Sequence, residues 1–156
     1  MISIRQHNIA KAAFDCVSAQ EERSKGQTEF DKKKYGALAH KLPMLILQNG
    51  LAQATGFLIA KNSEKTNEHL LLLDDLAQVI LASPYALETA EDGIGDKGKA
   101  LHETVINSDI NKLTRLTRLS LEASGALRRY VQGVMHVDST GSQKEESSPE
   151  KTEVPL

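Results

Sequence analysis

The chain has 156 residues, 19 Lys and Arg against 21 Asp and Glu, and a formal net charge of −2. This length favours one domain and buries roughly two-thirds of the unfolded surface without staples. Hydrophobic residues make up 40% and aromatics 4%, with no Trp; a mix led by Leu, Ala and Ile favours packed helices, because sheets are enriched in aromatic and β-branched side chains. The single cysteine, Cys16, excludes an internal disulfide framework and suits a reducing cytosol.

In chain order, residues 4–22 read as a first helix, with Ile2, Ile9, Ala13 and Val17 on one side. Ser24, Lys25, Gly26 and Gln27 make a connector. Thr28, with Asp31 three positions on, caps a second helix through Tyr35, Leu38 and Ala39. Pro43 predicts a kink or a new start. The most apolar helix, 43–61, carries Leu47, Leu51, Ala54 and Leu58 along one stripe and is expected at the centre of the molecule. Residues 68–82 form a helix with Leu72, Leu73, Leu76 and Ile80. Pro84 ends it, and 83–98 reads as a mobile acidic surface loop holding Gly93, Gly95 and Gly98. A short helix over 98–107 precedes a last long one, 109–136, capped by Asp109 or Ser108. The expected architecture is all-α, a compact bundle of five or six helices over residues 1–136, followed by a disordered acidic tail, 137–156.

No N-terminal apolar run resembles a signal peptide. The most apolar stretch, 42–60, carries Gln48, Asn49, Gly50 and Gln53 and is a poor membrane span. A soluble, cytoplasmic protein is expected.

Charge is uneven along this plan. Residues 1–60 hold 8 basic and 5 acidic side chains, 61–106 hold 4 and 9, 107–136 hold 5 and 2, and 137–156 hold 2 and 5. The first and last helical stretches are basic while the middle and the tail are acidic, so one face can attract an anionic polymer although the whole chain is acidic.

Catalytic signatures are sparse. His7, His40, His69, His102 and His136 occur singly, without a His or Cys partner at metal-ligand spacing, and read as surface or partly packed residues. Cys16 reads as a small core residue. The glycines at 93, 95 and 98 follow no strand and precede no Gly-Lys-Ser or Gly-Lys-Thr run, so no phosphate loop is indicated. Asp74 and Asp75 are the one mid-helix carboxylate pair, and adjacent helical residues point about 100° apart, which does not make one bidentate cluster. No cofactor, metal or catalytic residue is expected. Asn49 and Gln53, four apart, read as bonds that fix the helix register.

The last helix is more informative. Leu113, Leu116, Ala123, Leu127, Val131 and Val134 form its core stripe. Arg115, Arg118 and Arg129 share an arc of about 60° on the far side, with Glu122 inside it, and span about 20 Å. Arg128 flanks the core stripe. These arginines, with Lys41 and behind them Lys32, Lys33 and Lys34, are the candidate phosphate contacts. Aromatics are not interleaved with either cluster, so recognition by backbone and shape is expected, with little choice of base.

The segment KYGALAHKLPMLILQNGLAQATGFLIAK, 34–61, resembles the small helical subunit of type III-B CRISPR effector complexes, the Cmr small subunit. Lys34, Tyr35, Pro43, Asn49, Gly50, Leu51, Gln53, Phe57, Leu58, Ala60 and Lys61 carry the likeness. It extends over DINKLTRLTRLSLEASGALRRYVQGVM, 109–135, where Thr117, Arg128, Arg129 and Tyr130 fit the family's closing helix and Ala126 replaces its usual Trp. The resemblance implies a non-catalytic subunit of an RNA-guided complex. Its copies would stack beside the backbone subunits, its basic face would hold guide and target RNA, and its acidic middle would meet basic neighbours or the next copy. Two competing expectations are a helical adaptor that binds only protein and, on Asp74 and Asp75 alone, a metal-dependent helical hydrolase.

Overall fold

The structure is a computed structural model that describes residues 4–26, 30–61, 67–81 and 93–140. Among these residues the chain forms six α-helices, α1 (Ile4–Gly26), α2 (Lys32–Asn49), α3 (Leu51–Lys61), α4 (Glu68–Leu81), α5 (Asp96–Ile106) and α6 (Ile110–Tyr130), and a π turn, Val131–Met135. The all-helical bundle matches the expectation. Ile2, Thr28, Asn62, Ser63 and Pro84, to which the sequence reading gave roles, lie outside the described residues, as does the tail from 141.

Several boundaries move for physical reasons. α1 continues to Gly26, with Ser24 Oγ donating to the Glu21 carbonyl at 2.6 Å. The cap of α2 is Asp31, whose carboxylate accepts from the main-chain N–H groups of Lys33 and Lys34 at 3.0 and 3.2 Å. Pro43 does not restart the chain: α2 runs through it as one helix, since proline's fixed φ is itself helical and Leu42 and Ile46 on either side are buried, each 1% exposed. The break comes instead at Gly50, with φ 83° and ψ 161°, a combination open essentially to glycine alone. A Cβ there would meet nothing within 4 Å, so the glycine serves conformation rather than close packing.

That break divides the expected central helix. Leu51, Ala54 and Leu58 are buried as the stripe requires, but Leu47, now on a separate helix, is 64% exposed. Asn49 and Gln53 fall on either side of the break and are exposed; Asn49 Nδ2 bonds its own helix, at the Leu45 carbonyl, 3.3 Å. The centre belongs to α4, which packs against all five other helices. Its run of four leucines, Leu70 to Leu73, puts apolar side chains on every side of the helix, and all four are buried.

Two neighbouring carboxylates on α4 organise what surrounds it. Asp75 is buried, and its Oδ2 accepts from the Tyr35 hydroxyl on α2 and from Gln20 Nε2 on α1, the latter at 3.1 Å. Asp74, turned toward α5, accepts from Gly95 N–H at 2.6 Å through Oδ2 and from Gly98 N–H at 2.8 Å through Oδ1. The N-cap of α5, Gly95, offers no side chain, so Asp74 caps that helix from another element. The 93–98 part of the expected loop is therefore fastened to the core, with Gly95 and Gly98 buried. At the other end of the chain, packing continues past the expected limit at 136: Val137 is fully buried. It fits only because α2 has glycine opposite, where a Cβ on Gly36 would come within 2.5 Å of Val137 Cγ1.

Replacing Asp74 with Ala leaves two N–H groups without their acceptor and is expected to lower stability by about 1–3 kcal/mol, measured by urea unfolding. Burial is the main cause that raises the Asp75 carboxyl from 3.8 to about 7. The folded state then keeps its proton where the unfolded chain has lost it, so this group's contribution to stability falls as pH rises from about 4 to about 7. Asp75→Asn cannot ionise, and its melting temperature is expected to lose that part of the pH slope.

Candidate nucleic-acid interface

α6 begins at Asp109, whose carboxylate accepts from the Lys112 N–H at 2.8 Å. Its inner side is the expected stripe: Leu116, Ala123, Leu127 and Val131 are fully buried, while Leu113 and Val134 are partly so. Two helices flank it. α1 runs parallel, with Arg5 Nη2 on Glu122 Oε1 at 2.9 Å and the Phe14 and Tyr130 rings edge to face at 5.4 Å. α2 runs antiparallel, with Gly36 beside Val131 and His40 beside Arg128. Between these seams the outer side of α6 is open, and Arg115, Arg118, Arg128 and Arg129 are all exposed on it.

The arginines are not equivalent. Arg128 sits at the α2 seam, where its Nε donates to His40 Nδ1 at 3.2 Å. His40 Nε2 contacts the Val137 carbonyl at 2.8 Å, which requires the ring proton on Nε2 and leaves Nδ1 as the acceptor. Only the terminal nitrogens of Arg128 remain for another partner. Arg115 and Arg118 lie toward the other end of α6, about 20 and 15 Å from Arg128 along the axis.

The lysines form a separate patch. Lys32 Nζ is 3.1 Å from Glu21 Oε2 with both side chains largely covered, and Lys34 Nζ is 3.9 Å from Glu68 Oε2, on a residue that is fully buried. Glu68 Oε1 also accepts the Asp31 main-chain N–H at 2.8 Å. These two lysines tie the start of α2 to α1 and α4, whereas Lys33 and Lys41 are exposed. The structure thus groups the arginines on α6 and leaves the lysine triplet at the end of the bundle where α2 begins. Arg5 joins the arginine side through Glu122, a pairing across 117 residues for which helical spacing offers no signal. An exposed pair of this kind contributes less than about 1 kcal/mol, so it positions Glu122 more than it stabilises the fold.

The remaining titratable groups do structural work. Cys16 is in the core and burial pushes its thiol up. His69 is buried beside the Phe57 ring at 6.4 Å, and burial lowers it. His102 Nδ1 meets Thr55 Oγ1 at 2.7 Å. Among the described residues no three His, Cys, Asp or Glu side chains come together as a metal site, and no helix is long and apolar enough to cross a membrane.

This fold has a counterpart among known structures. The model of the family described as CRISPR-associated protein (Cas_Cmr5) matches residues 5–134. The chain belongs to the Cmr5 family. It is 31% identical over 126 residues to the CRISPR system Cmr subunit Cmr5 of Thermus thermophilus, covering 81% of this chain and 91% of that one. The crystal structure of a CRISPR-associated Cmr5 family protein from the same organism superposes with a TM-score of 0.65 at 29% identity, covering 86% of this chain and 99% of its own. The resemblance carried by 34–61 and 109–135 is therefore that of a true member. All eight candidate basic residues, and Arg5, fall inside the span matched to the Cmr5 family.

Replacing His40 with Ala removes both the Val137 and the Arg128 contacts. It is expected to cost about 1–3 kcal/mol and to release Arg128, seen as faster exchange of its Nε–H with water and a weakened signal in NMR spectra.

Proposed function

We propose that this Cmr5 family member is a non-catalytic small subunit of a type III-B Cmr ribonucleoprotein in antiviral defence. Its copies stack in the filament beside the backbone subunits, and it contacts the guide–target RNA backbone through the outer side of α6. The observation that carries this reading is the exposure of Arg115, Arg118 and Arg129 along one side of a helix whose other side is in the core. Guanidinium groups spaced along about 20 Å match successive phosphates of a strand. Arg128, Lys33 and Lys41 extend the same field. Lys32 and Lys34 stand behind it, their charge largely answered by Glu21 and Glu68. The acidic stretch 61–106 suits basic neighbours or the next copy, and a cytoplasmic site of action follows from the same reading.

A helical adaptor that binds only protein draws support from Met44 and Leu47, which are 55% and 64% exposed on α2. The two readings part on salt, since phosphate contacts release counterions and protein contacts of this apolar kind do not. Arg115→Glu with Arg118→Glu is expected to weaken RNA retention by the assembled complex. The plot of log affinity against log salt should flatten by about two, while the circular dichroism spectrum of the subunit stays the same. Unchanged RNA affinity would remove these residues from the interface.

A further inference from the structure

Beside the arginines, a groove of about 410 Å³ runs between α1 and α6, lined by Ile9, Ala10, Leu121, Gly125, Ala126 and Arg129 among others. That volume lies in the range of small-ligand sites. Gly125 is in mid-helix, where glycine is unfavourable relative to alanine, yet a Cβ there would meet nothing within 4 Å. No close approach among the described residues accounts for it. At the same groove Arg129 is exposed and forms no ion pair among the described residues, whereas Glu122 is already held by Arg5. The groove thus combines small apolar side chains, an open space and an unanswered guanidinium.

A segment of matching chemistry is tethered close by. Val137 and Val131 both lie against Gly36, and Val131 stands six residues beyond Gly125, about 9 Å along the axis. The chain therefore leaves the described core, at Thr140, near the Arg129 end of the groove. Residues 141–156 hold two lysines and four glutamates, and their only Val, Ile, Leu or Met side chains, Val154 and Leu156, come just after Glu150 and Glu153. At about 3.3 Å per residue this segment reaches up to about 50 Å, well beyond the length of the groove.

We propose that residues 150–156 of the same chain occupy this groove. Val154 and Leu156, two apart, share one side of an extended segment and cover the open space at Gly125. Glu150 and Glu153 meet the Arg129 guanidinium. The order along the chain fits, since the glutamates come first and Arg129 lies at the end nearer Thr140. A tether supplies an effective concentration of about a millimolar, so a weak contact suffices. The docking does not depend on the RNA reading; under that reading it keeps Arg129 covered until RNA displaces the segment.

The test uses the full chain with a nitroxide at Thr152→Cys; Cys16 is buried in the core and stays unlabelled. The amide signals of Ala10 and Gly125 are expected to broaden in NMR spectra. They should recover when Val154→Ser and Leu156→Ser, which leave the charge unchanged, are added. Gly125→Leu fills the open space and removes a helix-interior glycine, so it should raise the melting temperature and abolish the broadening as well. An excess of uridine octamer should release the segment; broadening that persists with the octamer bound leaves the docking standing and takes Arg129 out of the RNA interface. Signals at Ala10 and Gly125 no broader than in the doubly substituted segment overturn the docking. Broadening of a nitrogen-15 chain by a nitroxide on a second, unenriched chain overturns it too, because the occupant is then another copy.

Discussion

Residues 74 and 75 are both aspartate, and the turn of about 100° between adjacent helical positions sends them to different tasks. Asp75 faces inward and gathers Tyr35 from α2 and Gln20 from α1. Asp74 faces α5 and holds that helix by its first N–H groups. Leucines alone fill space without choosing among similar packings. Directional bonds from one buried helix to three neighbours set how those neighbours stand around it, and the unbonded alternatives carry the penalty of a buried polar group left alone. The same geometry turns the two carboxylates away from one another.

The position of α6 follows from that frame. α1 and α2 are each bound to α4, and α6 lies against both, parallel to one and antiparallel to the other. The seams differ in chemistry. On the α1 side an aromatic contact and an exposed ion pair leave an open groove, while on the α2 side His40 bridges Arg128 to the backbone of Val137. What remains outward is a strip of guanidinium groups on a helix that cannot roll, since its other side is packed in the core. Charge held on a rigid support loses less conformational freedom when a ligand arrives than charge on a loop does.

Much of this was legible along the chain, and the exceptions are instructive. The inner and outer sides of α6 were readable because 3.6-residue periodicity is local and its amphipathic contrast is strong. The cap of that helix was readable to within one residue, Asp109 or Ser108, because capping is a local bond from a side chain to nearby backbone. The course of α2 and α3 was not, because proline and glycine compete as breakers: Pro43 is compatible with helical φ, whereas the positive φ of Gly50 ends the helix outright. The lysine triplet looked like an available basic patch, yet Glu21 and Glu68, which answer Lys32 and Lys34, come from distant parts of the chain.

By itself the sequence determined the helical class, the core stripes, the exposed arginine side and the kinship carried by residues 34–61, because each of these depends on neighbours within a few turns. Only the tertiary structure decided that α4 is the centre, that Asp74 caps α5 and that Arg128 is shared with His40. It alone decided that α1 and α6 part around Gly125 to leave a groove. These depend on which helix lies beside which, a matter of long-range packing that local spacing does not encode.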